Sequence, residues 1–420
     1  MRSSPVWLIL AGFMILLDLY VFQIIRSLSH AAGSKTRSII FITYWTISIL
    51  ALLILFLLPF LNLDNYVKGV RSTVFALIIG LFLAKLIGSI FFLIDDIRRG
   101  VQWLAGKLYF RNTEGESIQD GRISRSVFLS WLGVAVGGTL FASLVFGLSN
   151  KYRYKVKKVA LNYPNLPSSF RGLKIVQLSD IHSGSFTDRN AVMRGVQKVM
   201  ELEPDLILFT GDLVNDRALE MEQYREVFNQ LKAPLGVFSV LGNHDYGDYF
   251  YGHRPEGQLA MEKSANLESL KRLQAEMGWR LLLDEHVLLE RNEEQIALIG
   301  VQNWSALKRF PRYGNLEKAY TGSHQAPFKI LMSHDPTHWD AEVRPSFPDI
   351  DLMLAGHTHG MQFGVEIPGF QWSPVEYVYK QWMGLYEEGR QKLYVNRGYG
   401  FIGYPGRVGI LPEITLIELT

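Results

Sequence analysis

The chain has 420 residues, of which 48% are hydrophobic and 20% charged, and its formal net charge at pH 7 is +3. A charge this close to balance gives no case for a nucleic-acid partner. The absence of cysteine excludes disulfides, thiolate metal sites and a cysteine nucleophile, and it leaves the cellular compartment open.

Four apolar stretches in the first part of the chain are long enough to cross a bilayer, which takes about 20 apolar residues. The second and fourth contain no charged side chain, which disfavours the alternative of helices buried in a globular core. Arg2 ahead of the first stretch also fits a signal peptide, but the three stretches that follow favour an uncleaved helix. We expect residues 1–150 to form a membrane domain whose four transmembrane helices cover residues 6–25, 38–63, 72–94 and 127–148.

Lysine and arginine in the loops predict the orientation, because cytoplasmic loops carry an excess of these residues. The side of the N-terminus has Arg2, Lys68 and Arg71. Basic residues between Lys151 and Lys158 argue for a cytoplasmic C-terminal domain, but charges that lead into a large domain can be translocated with it. We therefore expect a multi-pass protein of the cell or inner membrane with its C-terminal domain outside the cytoplasm. The opposite side has Arg26, Lys35, Arg37, Arg98, Arg99, Lys107, Arg111, Arg122 and Arg125.

Asp18 and Lys85 are ionisable residues inside the first and third predicted spans. The two spans run in the same direction and both residues lie slightly past the middle, so a buried ion pair at matched depth is one interpretation. In the other, Lys85 extends towards the interface and Asp18 faces a polar neighbour. Either arrangement predicts a structural rather than a catalytic role.

From about Val159 short apolar runs alternate with amphipathic segments, which is typical of an α/β domain. After a linker over residues 151–170, this pattern predicts buried strands at 174–178, 206–209, 237–241, 296–301, 329–332 and 352–355. It predicts helices at 191–202 and 262–276.

Five of the predicted strands end in a polar cluster: LSDIH (178–182), TGDLVND (210–216), LGNHD (241–245), SHD (333–335) and AGHTHG (355–360). Ligands bind beyond the carboxyl ends of strands in α/β sheets, and these oxygen and nitrogen donors suit divalent transition metals. Each cluster alone could be a turn or a helix cap. Five strand ends that all carry metal-binding side chains are hard to obtain by chance.

This ordered set, D-x-H, G-D, G-N-H-D, H and G-H-x-H, resembles the calcineurin-like metallophosphoesterase family over about residues 170–420. The ending LYVNRGYGFIGYPGRVGILPEITLIEL is similar to a narrower group, the membrane-anchored YkuE/YaeI-like and transmembrane metallophosphoesterase proteins, which includes enzymes that act on UDP-2,3-diacylglucosamine. For residues 171–420 the resemblance implies a four-layer α/β/β/α sandwich of two mixed sheets.

The resemblance also implies two divalent metal ions, Mn²⁺, Fe²⁺ or Zn²⁺, among which the ligand types do not select. Asp212 would bridge the ions, and a hydroxide between them would attack phosphorus. His244 would contact the substrate phosphate or protonate the leaving group. Asp245 would either orient His244 or a metal ligand, or cap a turn. One ion would be held by Asp180, His182, Asp212 and His359, and the other by Asp212, Asn243, His334 and His357.

The substrate is less clearly marked. Residues 246–253, rich in Tyr and Phe, form either an amphipathic lip or a packed surface loop. Arg397 and Arg407, in Gly-rich turns, suit bidentate phosphate binding or, equally, structural salt bridges. A hydrolase beside a bilayer meets lipid-linked substrates at high local concentration, so we expect it to hydrolyse a lipid-linked phosphodiester or pyrophosphate. The alternatives are a phosphomonoesterase or nucleotidase for soluble substrates, and a membrane sensor whose C-terminal domain only binds ligand.

Overall fold

The computed structural model describes residues 5–57, 69–109 and 125–420. The chain divides into two compact units, Met1–Phe146 and Gly147–Thr420. The end of the second predicted span and four of the basic residues used for the orientation (Arg2, Lys68, Arg111 and Arg122) lie outside the described residues.

The first unit contains four apolar helices: α1 (Pro5–Leu28), α2 (Ser34–Leu57), α3 (Val70–Tyr109) and α4 (Arg125–Gly147). All four are long and apolar enough to cross a membrane, as the sequence predicts. Helix α3 continues to Tyr109, well beyond the apolar stretch predicted to end at residue 94. Its polar half is stabilised by ion pairs one turn apart, such as Arg98 Nη2 to Asp95 Oδ1 at 2.8 Å.

Asp18 and Lys85 form the predicted buried ion pair. The Lys85 Nζ atom lies 2.5 Å from Asp18 Oδ1, and both side chains are almost completely buried. Ser48 Oγ donates to the same carboxylate oxygen at 2.9 Å, and the Tyr44 hydroxyl donates to the Asp18 carbonyl at 2.8 Å. The polar cluster therefore joins α1, α2 and α3, and the alternative in which Lys85 extends to the interface is wrong.

The second unit is built on two six-stranded mixed sheets and a separate hairpin. The first sheet has the order β1-β14-β2-β3-β4-β5, and the second β12-β13-β9-β8-β7-β6. The first contains β1 (Lys155–Leu161), β2 (Leu173–Leu178), β3 (Leu206–Phe209), β4 (Val237–Ser239), β5 (Arg280–Leu281) and β14 (Glu413–Leu419). The second contains β6 (Glu285–Arg291), β7 (Glu294–Gly300), β8 (Lys329–Met332), β9 (Leu352–Ala355), β12 (Gly384–Glu388) and β13 (Gln391–Val395), and the hairpin is β10 (Val365–Ile367) with β11 (Phe370–Trp372).

The sheets pack face to face with helices on both outer sides, as the predicted four-layer sandwich requires. Between the sheets, Leu208 and Phe238 of the first share one apolar core with Ile330 of the second. A second core packs the first sheet against α5 and α8, and a third packs the other sheet against α9 and the segment around Trp339. The helices of this unit are α5 (Arg189–Met200), α6 (Arg225–Phe228), α7 (Asp248–Tyr251), α8 (Gly257–Glu276), α9 (Leu316–Tyr320) and α10 (Arg344–Ser346).

Strand direction brings the predicted polar clusters together. Strands β2, β3 and β4 are mutually parallel, and so are β7, β8 and β9. Strands such as Leu206–Phe209 are buried along their whole length, which is expected when both faces of a sheet are covered. The loops after β2, β3, β4, β8 and β9 consequently meet at one edge of the sandwich, where the metal-binding residue types converge.

Candidate metal centre

The loops that carry the predicted ligands turn through unusual backbone conformations. Asp180, His182, Asp212, His357 and His359 all have φ between 48° and 70°. A left-handed backbone conformation costs a residue with a Cβ about 1–3 kcal/mol, and it persists only when the surrounding structure holds it. Such strain at five residues that follow three strands, β2, β3 and β9, indicates that the fold fixes where these side chains point, which is typical of functional sites.

Two groups of buried side chains result. In the first, His359 Nε2 lies 3.2 Å from Asp180 Oδ1 and 3.0 Å from His182 Nε2. In the second, His334 Nε2 lies 3.1 Å from Asp212 Oδ2 and 3.2 Å from His357 Nδ1. Within each group one ligand atom per residue lies within 4.8 Å of the others. These distances leave the side chains able to converge on a single ion in each group.

Asp212 connects the two groups. Its Oδ2 atom lies 3.1 Å from His334 Nε2 and 3.6 Å from His182 Nε2, which belongs to the other group. Its Oδ1 atom accepts the backbone N–H of His244 at 2.8 Å. The carboxylate is thus fixed between both sets of imidazoles, the position required of a bridging ligand.

The charges at the centre call for a cation. Burial acts to raise the pKa of Asp180 and Asp212, but the surrounding imidazoles, chiefly His359 and His334, outweigh it and keep both carboxyl groups ionised. Burial likewise opposes protonation of His334, yet Asp212 raises its pKa to about 10. Buried carboxylates need a compensating positive charge, which a protonated His334 supplies here and which a divalent cation would supply when neutral imidazoles act as its ligands.

Asn243 supplies an independent test of the fit. Its side-chain nitrogen donates to the Tyr249 hydroxyl at 3.0 Å. Its Oδ1 atom is buried and has no hydrogen-bond partner in the described part of the chain, although buried polar atoms are nearly always paired. An amide oxygen free in this way suits a metal ligand, so the residues present fit the two-ion arrangement predicted from the sequence.

Asp245 organises the loops rather than the imidazole of His244. Its carboxylate accepts the backbone N–H groups of Asp212 at 2.9 Å, Leu213 at 2.8 Å and Gly242 at 2.9 Å. Burial, followed by the charge of Asp212, raises the pKa of Asp245 to about 7. Asp245 therefore caps the turn and, through the backbone of Asp212, also orients a predicted metal ligand, so it ties the loop after β3 to the loop after β4.

His244 lies beside the centre without belonging to either group of metal-binding side chains among the described residues. Its Nδ1 atom donates to the Asn215 carbonyl at 2.7 Å, which leaves Nε2 as the remaining ring nitrogen. The ring stacks on Tyr249 with centroids 4.4 Å apart and meets the His182 ring edge to face at 4.9 Å. The predicted role of His244 towards substrate remains a prediction.

The predicted substrate contacts from Arg397 and Arg407 do not fit the structure. Arg397 is buried and pairs with Glu366 at 2.7 and 3.0 Å and with Glu413 at 2.8 Å. Arg407 is completely buried and donates to backbone carbonyls, including those of His359 at 3.2 Å and Arg397 at 2.9 Å. Burial lowers the pKa of Arg407 to about 9. Arg397 is thus held by two carboxylates, and Arg407 holds the loop around His359, so both guanidinium groups have structural partners inside the protein.

Part of the aromatic segment 246–253 is packed on the domain, and part of it is exposed as a lip would be. Tyr246 is buried and stacks on Tyr313 with ring centroids 3.9 Å apart, so it belongs to the packed domain. Tyr249 and Phe250, on α7, are 52% and 55% exposed. Tyr249 combines this exposure with its contacts to Asn243 and His244, so it retains the predicted position of a lip.

Two further residues, for which the sequence predicts no role, contact an imidazole of the centre. The Tyr379 hydroxyl lies 2.8 Å from His357 Nε2, and Asp335 Oδ2 lies 3.5 Å from the same nitrogen. On the other side, His334 Nδ1 donates to the Thr210 carbonyl at 2.7 Å, which leaves Nε2 facing Asp212. Partners of this kind orient metal-binding imidazoles. Asp335 follows His334 directly in the SHD cluster and could have been found there, whereas Tyr379 carries no sequence signal.

Comparison with known proteins agrees with this geometry. Residues 1–151 match the family model described as a probable calcineurin-like phosphoesterase, transmembrane domain, and residues 173–361 match that of the calcineurin-like phosphoesterases. The chain is 33% identical to a zebrafish (Danio rerio) transmembrane protein with metallophosphoesterase domain, over 75% of this chain and 67% of that protein. A bovine (Bos taurus) protein of the same description is 31% identical, and the match covers 68% of this chain and 62% of the relative.

A third relative carries a more specific description. The UDP-2,3-diacylglucosamine pyrophosphatase LpxG of Chlamydia trachomatis is 26% identical, over 59% of this chain and 83% of that protein. The description belongs to the relative.

Proposed function

Because this chain belongs to the calcineurin-like phosphoesterase family, we propose that it is a membrane-anchored, two-metal hydrolase of a phosphodiester or pyrophosphate. The observation that carries the proposal is the convergence of two buried Asp/His groups on the shared carboxylate of Asp212. A protein that only bound ligand would have no need of a carboxylate fixed between two metal-binding groups.

We assign the ligands as the sequence predicts them. Asp180, His182 and His359 would hold one ion, and Asn243, His334 and His357 the other, with Asp212 shared between them. When bound, two such ions lower the pKa of water and draw charge from the phosphoryl oxygens. Mn²⁺, Fe²⁺ and Zn²⁺ all suit these oxygen and nitrogen donors.

The chain's own residues then position and assist the reacting groups. Asp245 holds the loop of Asp212 through three backbone N–H groups, and the Thr210 carbonyl fixes the ring of His334. His244 has its Nδ1 atom engaged by the Asn215 carbonyl, so its Nε2 atom is available to the substrate. We assign to Nε2 the protonation of the leaving group or a hydrogen bond to a phosphoryl oxygen, a contribution of about 10²–10⁴ in rate for a well-placed acid.

We further propose a lipid-linked substrate and a catalytic domain outside the cytoplasm. Four helices that can span a bilayer hold the C-terminal unit near lipid, and one relative is described as acting on a diacylated sugar nucleotide. The runner-up is a phosphomonoesterase or nucleotidase for soluble substrates, with the helices serving as an anchor.

The test compares three substrates with purified full-length protein in vesicles, with and without added Mn²⁺. These are a chromogenic phosphodiester, the corresponding monoester and a lipid-linked pyrophosphate. The proposal expects metal-dependent hydrolysis, with the lipid-linked pyrophosphate or the diester preferred over the monoester. Preference for the monoester would favour the runner-up, and no hydrolysis of any substrate with both metals bound would reject the catalytic assignment.

A further inference from the structure

The hairpin of β10 and β11 is part of an excursion that both leaves and rejoins the candidate metal centre. The chain departs at His359 and returns at Tyr379, whose hydroxyl lies 2.8 Å from His357 Nε2. The base of the excursion is held by Ser373 Oγ, which donates to the Gly360 carbonyl at 3.0 Å. Among the described strands, β10 and β11 pair with each other and join neither six-stranded sheet.

The two faces of this hairpin differ sharply. Successive residues of a strand point to opposite faces, and the register pairs Val365 with Trp372 and Ile367 with Phe370 on one face. This face is apolar, yet Val365, Ile367 and Phe370 are 40%, 56% and 52% exposed. The hairpin is therefore amphipathic with its apolar face turned to the outside.

The polar face is anchored to the protein through Glu366. Its carboxylate receives Arg397 at 2.7 and 3.0 Å and Lys157 at 2.6 Å. The charge network lowers the pKa of Glu366 to about 2, against the opposing effect of burial. These contacts determine which face of the hairpin is presented outwards.

The exposed apolar face continues beyond the hairpin. Tyr377 and Val378, in the turn after β11, are 76% and 52% exposed, and Trp372 Nε1 donates to the Tyr377 hydroxyl at 3.4 Å. Single exposed apolar residues are ordinary, whereas a contiguous patch marks an interaction site. We call this patch the hairpin surface: Val365, Ile367, Phe370, Trp372, Tyr377 and Val378.

We propose that the hairpin surface docks on the lipid bilayer. Helix α4, which is apolar and long enough to span a membrane, ends at Gly147 and β1 begins at Lys155. The seven residues between them, 148–154, can span at most about 28 Å from Gly147 to Lys155. Lys157 on β1 in turn holds Glu366 at 2.6 Å, so the hairpin base is tied to the segment that follows the last candidate span.

The residue types of the hairpin surface are those that proteins place at a lipid interface. Trp and Tyr concentrate at the headgroup level of membranes, and Phe, Ile and Val enter the acyl boundary. Docking here would hold the loop of His357 and His359 next to the lipid surface. The inference rests on exposure and covalent reach, and it holds whether or not the proposed hydrolysis is correct.

A fluorescence experiment tests the docking directly, because the chain contains no cysteine and a single introduced thiol can be labelled cleanly. Phe370→Cys and Ile367→Cys each receive an environment-sensitive dye in full-length protein reconstituted in phosphatidylcholine–phosphatidylglycerol vesicles. The matched control is Leu288→Cys on β6, whose parent side chain is 45% exposed. Unfolding temperatures equal to that of the unlabelled chain establish that each variant is folded.

Two quenchers separate the possible occupants. Nitroxide attached to the lipid acyl chains should quench both hairpin dyes several-fold more than the Leu288→Cys dye, and aqueous iodide should quench them several-fold less. Equal quenching by iodide at all three positions, without quenching by the nitroxide lipid, would overturn the proposal. Protection from iodide without nitroxide quenching would show a protein cover, such as a second copy of the chain, and would also overturn it.

Discussion

The Asp245 carboxylate accepts the backbone N–H of Asp212 at 2.9 Å, and the Asp212 carboxylate in turn lies close to His182 of one group and His334 of the other. The same oxygen of Asp245 also accepts from Gly242 at 2.9 Å. The position of Asp212 between the two groups of imidazoles therefore depends on two joined loops.

Asp245→Asn should loosen this arrangement while leaving every proposed ligand in place. The amide can accept at only one of its two positions, so backbone N–H groups lose their partner at a cost of about 1–3 kcal/mol each. We expect a lower unfolding temperature and weaker metal binding, measured as ion content after dialysis. Asp205→Asn is the matched control. Asp205 also accepts a backbone N–H, that of Lys174 at 2.9 Å, but it is not one of the residues of the metal centre. Equal metal retention in both variants would contradict the role of Asp245.

His244→Ala should separate catalysis from metal binding. If His244 protonates the leaving group, the variant keeps both ions and loses turnover. The rate of hydrolysis should fall more for an alkyl ester than for a nitrophenyl ester, whose good leaving group needs little protonation. Uniform slowing of both esters would instead indicate a contact with a non-bridging oxygen. Metal analysis provides the check, because loss of an ion would contradict both roles.

Asp18 and Lys85 should be energetically coupled, so that their contributions to the stability of the membrane helices depend on each other. Removal of one partner leaves a buried charge uncompensated, which typically costs about 3–5 kcal/mol. We expect Asp18→Asn and Lys85→Met each to lower the unfolding temperature in detergent, and the double variant to recover a large part of the loss. Additive effects in this cycle would show that the pair contributes no coupling.

The orientation predicted from the loop charges can be measured with a membrane-impermeant maleimide. We expect Lys198→Cys, on α5 of the C-terminal unit, to react in intact cells, and Gly33→Cys, between α1 and α2, to react only after permeabilisation. The reverse pattern, or a reporter fused after Thr420 that is active only in the cytoplasm, would place the catalytic unit inside the cell.

The sequence predicts most of this architecture because its strongest signals are local. Uncharged runs identify the spans, and buried strands that end in Asp, Asn or His identify the edge where ligands gather. The polar extension of α3 to Tyr109 is not predicted. The hydropathy of the sequence falls at Asp95, but ion pairs along the helix surface stabilise the helix beyond that residue.

Long-range contacts account for what the sequence does not reveal. Arg397 and Arg407 lie in Gly-rich turns that look exposed, and only the packing of Glu366 and Glu413 around Arg397, and of backbone carbonyls around Arg407, shows them to be buried. Tyr379 reaches His357 across a hairpin whose apolar face has no distinguishing pattern in the sequence. Such contacts depend on how distant loops meet.

The most direct test of the two-metal centre is the metal content of Asp212→Asn, determined by elemental analysis together with turnover. The exchange keeps the shape of the side chain but removes the charge that faces both groups of imidazoles. We expect an intact fold, loss of at least one ion and a fall in turnover by several orders of magnitude, with Asp205→Asn unchanged in both respects. Full occupancy by two ions with near-normal turnover would contradict the assignment of Asp212 as the bridging ligand.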